Sequence, residues 1–109
     1  MLYPPFADIC VVGFVGMKEK DVARASRQFL SMLSLLAQQR YSDQPMRVLN
    51  PAPALVAKVS NKYRYRIIIK CRNNLKFREM ISQLLIEFSG NREYSGVTVF
   101  ADINPDMVI

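Results

Sequence analysis

Histidine is absent from this 109-residue sequence, cysteine occurs twice and glycine four times. Each shortage removes a class of chemistry. Without histidine, general acid–base work near neutral pH loses its usual agent. Cys10 and Cys71 are too few for a zinc site or a disulfide framework, and read as small buried hydrophobes. With so few glycines there is no glycine-rich phosphate cradle, and G-x-x-x-x-G-K-[ST] does not occur. Carboxylates form no paired constellation; Asp8 and Asp102 stand alone and read as turn-capping or edge residues. The apolar run from Ile9 to Val15 falls far short of the ~20 residues of a membrane span, and no basic segment precedes it as in a secretory signal. These absences point to a soluble, cytoplasmic protein with no catalytic residue, metal or cofactor of its own.

Acid is missing too, and locally. Between Asp43 and Glu79 there is no Asp or Glu, yet this stretch carries nine cations: Arg47, Lys58, Lys62, Arg64, Arg66, Lys70, Arg72, Lys76 and Arg78. The net charge of +6 is therefore concentrated in one central third. Such a cluster sets up a positive field that captures polyanions, and nucleic acid is the first of these to test. Half the residues are hydrophobic and 22% are charged, an ordinary globular balance, and the length suits one domain over 1–109.

Pro4-Pro5 makes residues 1–7 a stiff, extended lead-in. Asp8 to Gly16 is short, rich in Val, and reads as a strand. Lys18 to Gln39 changes period: Val22, Ser26, Phe29, Leu33, Leu36 and Ala37 recur at helical spacing. Tyr41 to Pro45 ends that helix. Arg47 to Leu49 is a short strand stopped by Asn50-Pro51-Ala52-Pro53, whose prolines belong at an edge or in a loop. Leu55 to Cys71 is extended, with a bend near Asn61-Lys62. Asn73-Asn74 caps a second helix with the stripe Phe77, Met80, Ile81, Leu84, Leu85 and Phe88. Val97 to Ile103 alternates as a last strand. The order βαββαβ with short right-handed connections predicts an α+β, split β-α-β (ferredoxin-like) fold, a four-stranded antiparallel sheet with both helices on one face.

Alternation then divides the segment before the second helix. Tyr63, Tyr65, Ile67, Ile69 and Cys71 share one side; Arg64, Arg66, Ile68, Lys70 and Arg72 share the other. Burying four unpaired cations under two helices would cost several kcal/mol each, so the basic row must face outward. This argues against an RNA-recognition motif, whose stacking aromatics project from the open sheet face, because Tyr63 and Tyr65 point the other way and the K/R-G-F/Y-G/A-F-V signature is missing. The basic row has a different use. Residues two apart on a strand are separated by about 6.6 Å, roughly two steps of the ~3.4 Å per-strand phosphate spacing along a duplex. Such a row follows a phosphate backbone without reading sequence.

The first strand is apolar on both parities, Ile9, Val11 and Val15 against Cys10, Val12 and Phe14. With helices on one face only, an apolar strip is left open beside the basic row, as expected where another domain or subunit packs.

Four strings occur in order: Tyr3-Pro4-Pro5-Phe6; Val48-Leu49-Asn50-Pro51-Ala52-Pro53; Tyr63-Arg64-Tyr65 followed by Lys70; and Asp102-Ile103-Asn104-Pro105. In this order and spacing the chain, from about Tyr3 to Ile109, resembles the C-terminal domain of the primosomal protein N′ (PriA) family, bacterial replication-restart DNA helicases. Met1-Leu2 would then precede the domain. Three positions depart from the family pattern: Asn50 and the Ser60-Asn61 pair stand where glycine is usual or frequent, and Asn104 replaces a common aspartate. The resemblance implies a parent that is an ATP-dependent helicase with a zinc-binding module, so ATP and zinc belong to other domains of the parent. It also implies a fold like that of a small-ribosomal-subunit protein, packing on the helicase core, and DNA binding at forks and single-strand/duplex junctions. The implied partners are single-stranded DNA-binding protein and other primosome proteins.

Together these readings give a non-catalytic domain that binds branched or fork DNA, with Lys58, Lys62, Arg64, Arg66, Lys70 and Arg72 on phosphates and Tyr63 and Tyr65 holding the strand in register. The alternative is a protein-docking module on the helicase core or a primosome partner, its DNA affinity incidental. A small enzyme such as an acylphosphatase is disfavoured, because G-x-V-Q-G-V-x-x-R is absent.

Overall fold

A computed structural model describes residues 8–44, 46–59 and 61–104, leaving aside the side chains of 54–59. The expected lead-in at 1–7 and the proline of the last string, Pro105, lie outside the described residues. Strand β1 (Asp8–Gly16) is followed by helix α1 (Glu19–Arg40), strands β2 (Met46–Val48), β3 (Ala52–Val59) and β4 (Lys62–Cys71), helix α2 (Leu75–Ser89), a single 3-10 turn at Arg92–Tyr94, and strand β5 (Val97–Ile103).

All pairings are antiparallel, in the order β2-β4-β1-β5, with β3 also on β4. The sheet thus has five strands rather than four. Its outer lane is shared: β2 pairs the end of β4 (Met46 with Cys71), and β3 pairs its start (Ala52 with Arg66). Pro53 explains the position, since proline cannot donate to a ladder and is tolerated on an edge strand. The βαββαβ plan otherwise stands, with β2 and β3 dividing its second strand.

Both helices cover one side. The core joins Cys10, Val12 and Phe14 of β1 and Ile67, Ile69 and Cys71 of β4 to Val22, Phe29 and Leu33 of α1 and Phe77, Met80 and Leu84 of α2. Edge-on aromatic contacts tie the layers, Phe14 to Phe29 at 5.5 Å and Phe29 to Phe88 at 5.6 Å, and Tyr94 stacks on Phe88 at 5.3 Å. The Asn74 side chain accepts from the Phe77 amide at 2.9 Å and starts α2 as its cap. No described helix is long and apolar enough to cross a membrane.

Candidate nucleic-acid interface

Strand β4 is the centre of the site. Tyr63 and Tyr65 pack on the core cluster with Ile67, Ile69 and Cys71. Alternation sends Arg64, Arg66, Ile68 and Lys70 to the face without helices. Arg64 and Arg66 are half-buried there, and Lys62, Lys70 and Arg72 are exposed. Two ion pairs occur among the described residues, Arg24 with Glu93 at 2.6 Å and Lys76 with Asp43 at 2.8 Å, and neither uses a cation of this face. The row therefore has no matching carboxylate among the described residues.

Register decides which other cations join it. Arg47 is the partner of Lys70, so β2 adds a cation that the sequence run contained but did not single out. Lys58 pairs with Tyr63, which puts its position in the tyrosine row and not the arginine row; the side chain is outside the description. The physical reason is the hairpin register, in which Val59 is the partner of Lys62 and Lys58 that of Tyr63. Arg72 follows the end of β4, close enough for its charge to act on Asp8.

On β1 the open face shows Ile9, Val11, Gly13 and Val15, partners of Lys70, Ile68, Arg66 and Arg64. The expected apolar strip is there, though Val11 is already only 6% exposed. On β5 the same face carries Thr98, Phe100 and Asp102, partners of Val15, Gly13 and Val11. Sequence reasoning passed over Phe100. Its signal was available: a phenylalanine standing in the polar parity of β5, between Thr98 and Asp102.

One end of the sheet is fastened by polar contacts. The Asp8 carboxylate accepts from the Asn73 amide at 2.8 Å and from the Asn104 side chain at 3.0 Å. Asn104 also accepts from the Ile9 amide at 2.9 Å, and its own amide donates to the Ile9 carbonyl at 2.6 Å. The Asn73 amide foremost, then Asn104, hold Asp8 below the ordinary carboxylate value of 3.8. Asp8 thus has an edge role, joining β1 to the loop before α2. Cys10 and Cys71 lie on the core side of neighbouring strands, Cys71 two residues beyond Ile69, the partner of Cys10.

A family model described as the primosomal protein N C-terminal domain matches residues 1–106. The chain belongs to that family. It is similar to the replication restart protein PriA of Bacillus subtilis, 22% identical over 107 residues, 98% of this chain and 13% of that protein. It is also similar to a probable replication restart protein PriA of Deinococcus radiodurans, 29% identical over 105 residues, 96% of this chain and 10% of that protein. The chain therefore spans about a tenth of the length of these relatives. Among solved structures, a de novo designed ferredoxin-fold protein superposes with a TM-score of 0.56 at 10% identity, covering 91% of this chain and 86% of the design. That likeness concerns the fold.

Of the family's glycine positions, Asn61 adopts φ 63°, the left-handed conformation that asparagine tolerates. Among the described residues the other non-glycine positive φ is that of Asn104, 51°, so Asn50 makes its turn without one.

Proposed function

We propose that this chain is the non-catalytic DNA-binding domain of a replication-restart primosomal helicase, and that it holds branched or fork DNA on the open side of its sheet. The observation behind this is the line of cations along β4, exposed at Lys62 and Lys70, half-buried at Arg64 and Arg66, and beside no described carboxylate partner. Lys62, Arg64, Arg66 and Lys70 follow one phosphate strand, Arg47 widens the track beside Lys70, Arg72 contributes from its far end, and Lys58, whose position falls in the tyrosine row, is left out of it. Tyr63 and Tyr65 anchor the strand from the other side. ATP turnover and zinc binding belong to other domains of the parent, whose helicase core, single-stranded DNA-binding protein and further primosome proteins are the protein partners.

Contacts of this kind are electrostatic, so their signature is salt dependence. Four or five neutralised phosphates give a slope of log K against log salt near −4, at about −0.9 per phosphate. Titrating a labelled fork with the chain between 50 and 200 mM salt measures it. No binding at the lowest salt, or affinity indifferent to salt, would refute the proposal.

A docking role is the second reading, favoured by apolar side chains left at the surface. Ile9 is 37% exposed beside the basic row, and Leu75 and Ile86, 65% and 72% exposed, flank a groove on the outer side of α2. A partner held there would survive charge reversal at Arg64 and Arg66, whereas DNA would not.

A further inference from the structure

The exposed phenylalanine of the open face has an unusual seat. A Cβ placed on Gly13 would lie 2.3 Å from Cζ of Phe100, 2.7 Å from Cε1 and 2.8 Å from Cε2. Near-equal distances to both Cε atoms, only slightly longer than that to Cζ, describe a ring seen face-on. Phe100 therefore lies flat on the glycine, across β1, with its other face turned away from the sheet; the residue keeps 40% of its surface exposed. Gly13 is the only kind of residue that permits this, since any side chain there would occupy the space of the ring.

The row continues on the far side of the glycine. Gly13 is the partner of Arg66 on β4 and of Phe100 on β5, so cation, glycine and ring stand in line across three strands. At about 4.8 Å per strand, β4 and β5 are roughly 9.6 Å apart. Charge is one-sided along that line. Cations occupy β2 and β4, the open side of β1 is apolar, and the charge on β5 is that of Asp102, which repels phosphate. A ligand matching this face has anions along one edge and flat apolar groups along the other. A single nucleic-acid strand has that form, whereas in a duplex the base faces are stacked away and phosphates line both sides.

We infer that the outward face of Phe100 stacks an unpaired base of single-stranded DNA whose phosphates run along Arg64 and Arg66. This rests on reading the sheet as a DNA-binding face, and it adds a preference: the face takes the unpaired arm of a fork rather than its duplex arm. Basic grooves with an aromatic platform bind single strands in this way, without base selection.

The test compares a labelled oligo-dT strand with a hairpin duplex, using the wild-type chain, Phe100→Leu and Phe100→Trp. Leucine still covers Gly13 but offers no π face, and the chain contains no tryptophan, so Phe100→Trp places a single fluorophore at the platform. Phe100→Leu should weaken oligo-dT binding roughly tenfold, within the range of base–aromatic stacking, while duplex affinity and the salt slope stay unchanged. Phe100→Trp should bind as tightly as wild type and lose its fluorescence as oligo-dT saturates it. Equal oligo-dT affinity for Phe100→Leu and wild type, or undiminished fluorescence at saturation, overturns the stacking inference and leaves salt-dependent DNA binding intact. Failure of the wild type to bind either DNA removes both.

Discussion

Arg64 and Tyr65 are neighbours in the chain and lie on opposite sides of the sheet, the cation half-buried on the open face and the phenol ring packed on the core. Their substitutions should therefore separate. Arg64→Ala should change folding stability by no more than about 0.5 kcal/mol, as for surface sites. Tyr65→Ala removes a half-buried ring and should cost about 1–3 kcal/mol. Urea unfolding of the two variants measures both.

Gly16 closes β1 where three segments converge. A Cβ there would stand 2.8 Å from Cγ2 of Val22 and 3.2 Å from the Gly96 carbonyl oxygen. Val22 is fully buried and the carbonyl is backbone, so neither yields freely. Gly16→Ala should destabilise by about 1–3 kcal/mol through overpacking, seen as a lowered midpoint in thermal unfolding. Gly13→Ala should cost less, because the obstacle is the end of one exposed side chain, the Phe100 ring.

Asn104 faces the Asp8 carboxylate with its amide. Asn104→Asp would replace a 3.0 Å hydrogen bond by two like charges, so the variant should melt below wild type at pH 7. The gap should narrow as acid protonates one of the pair. In the wild type, Asp8 has a pKa below its ordinary 3.8 in the folded state. Its contribution is present above that value and is lost as pH falls through the lower folded one. Melting curves from pH 7 to 3 distinguish the two behaviours.

The thiols carry a shift of opposite sense. Burial, reinforced by Cys71 and then Asp102, pushes Cys10 up to about 12, and burial with the charge of Asp8 pushes Cys71 up to about 11. Unfolded thiols ionise near 8.5, so this contribution is complete below that pH and is lost as pH rises toward 11–12. The urea midpoint should fall through this alkaline range, less so in Cys10→Ala measured against its own neutral value. At pH 8 both thiols should resist a thiol reagent until urea unfolds the chain.

How far the fold could be read from sequence depended on how local each signal was. The stripes Phe29, Leu33, Leu36 and Phe77, Met80, Leu84 defined both helices, and the alternation Tyr65-Arg66-Ile67 oriented β4, because each pattern resides in consecutive residues. What escaped depended on register. That Arg47 meets Lys70, that Lys58 meets Tyr63, and that Phe100 lies on Gly13 follow from pairings between segments distant in sequence. The run of cations grouped Lys58 with the arginines; the pairing of Val59 with Lys62 places its position with the tyrosines. The polar clamp of Asp8, Asn73 and Asn104 was hidden for the same reason, its members being 65 and 96 residues apart. The division of the outer lane into β2 and β3 was visible only as two prolines.

The most direct measurement is the salt slope of fork binding for the wild-type chain against the double reversal Arg64→Glu, Arg66→Glu. With those two phosphate contacts gone and replaced by repulsion, the magnitude of the slope should fall by about 1.4–1.8, at about 0.7 per single-strand and 0.9 per duplex contact, and affinity at 50 mM salt should fall at least tenfold while circular dichroism shows the same fold. An unchanged slope and affinity in the folded double variant would contradict DNA binding by the open face of the sheet.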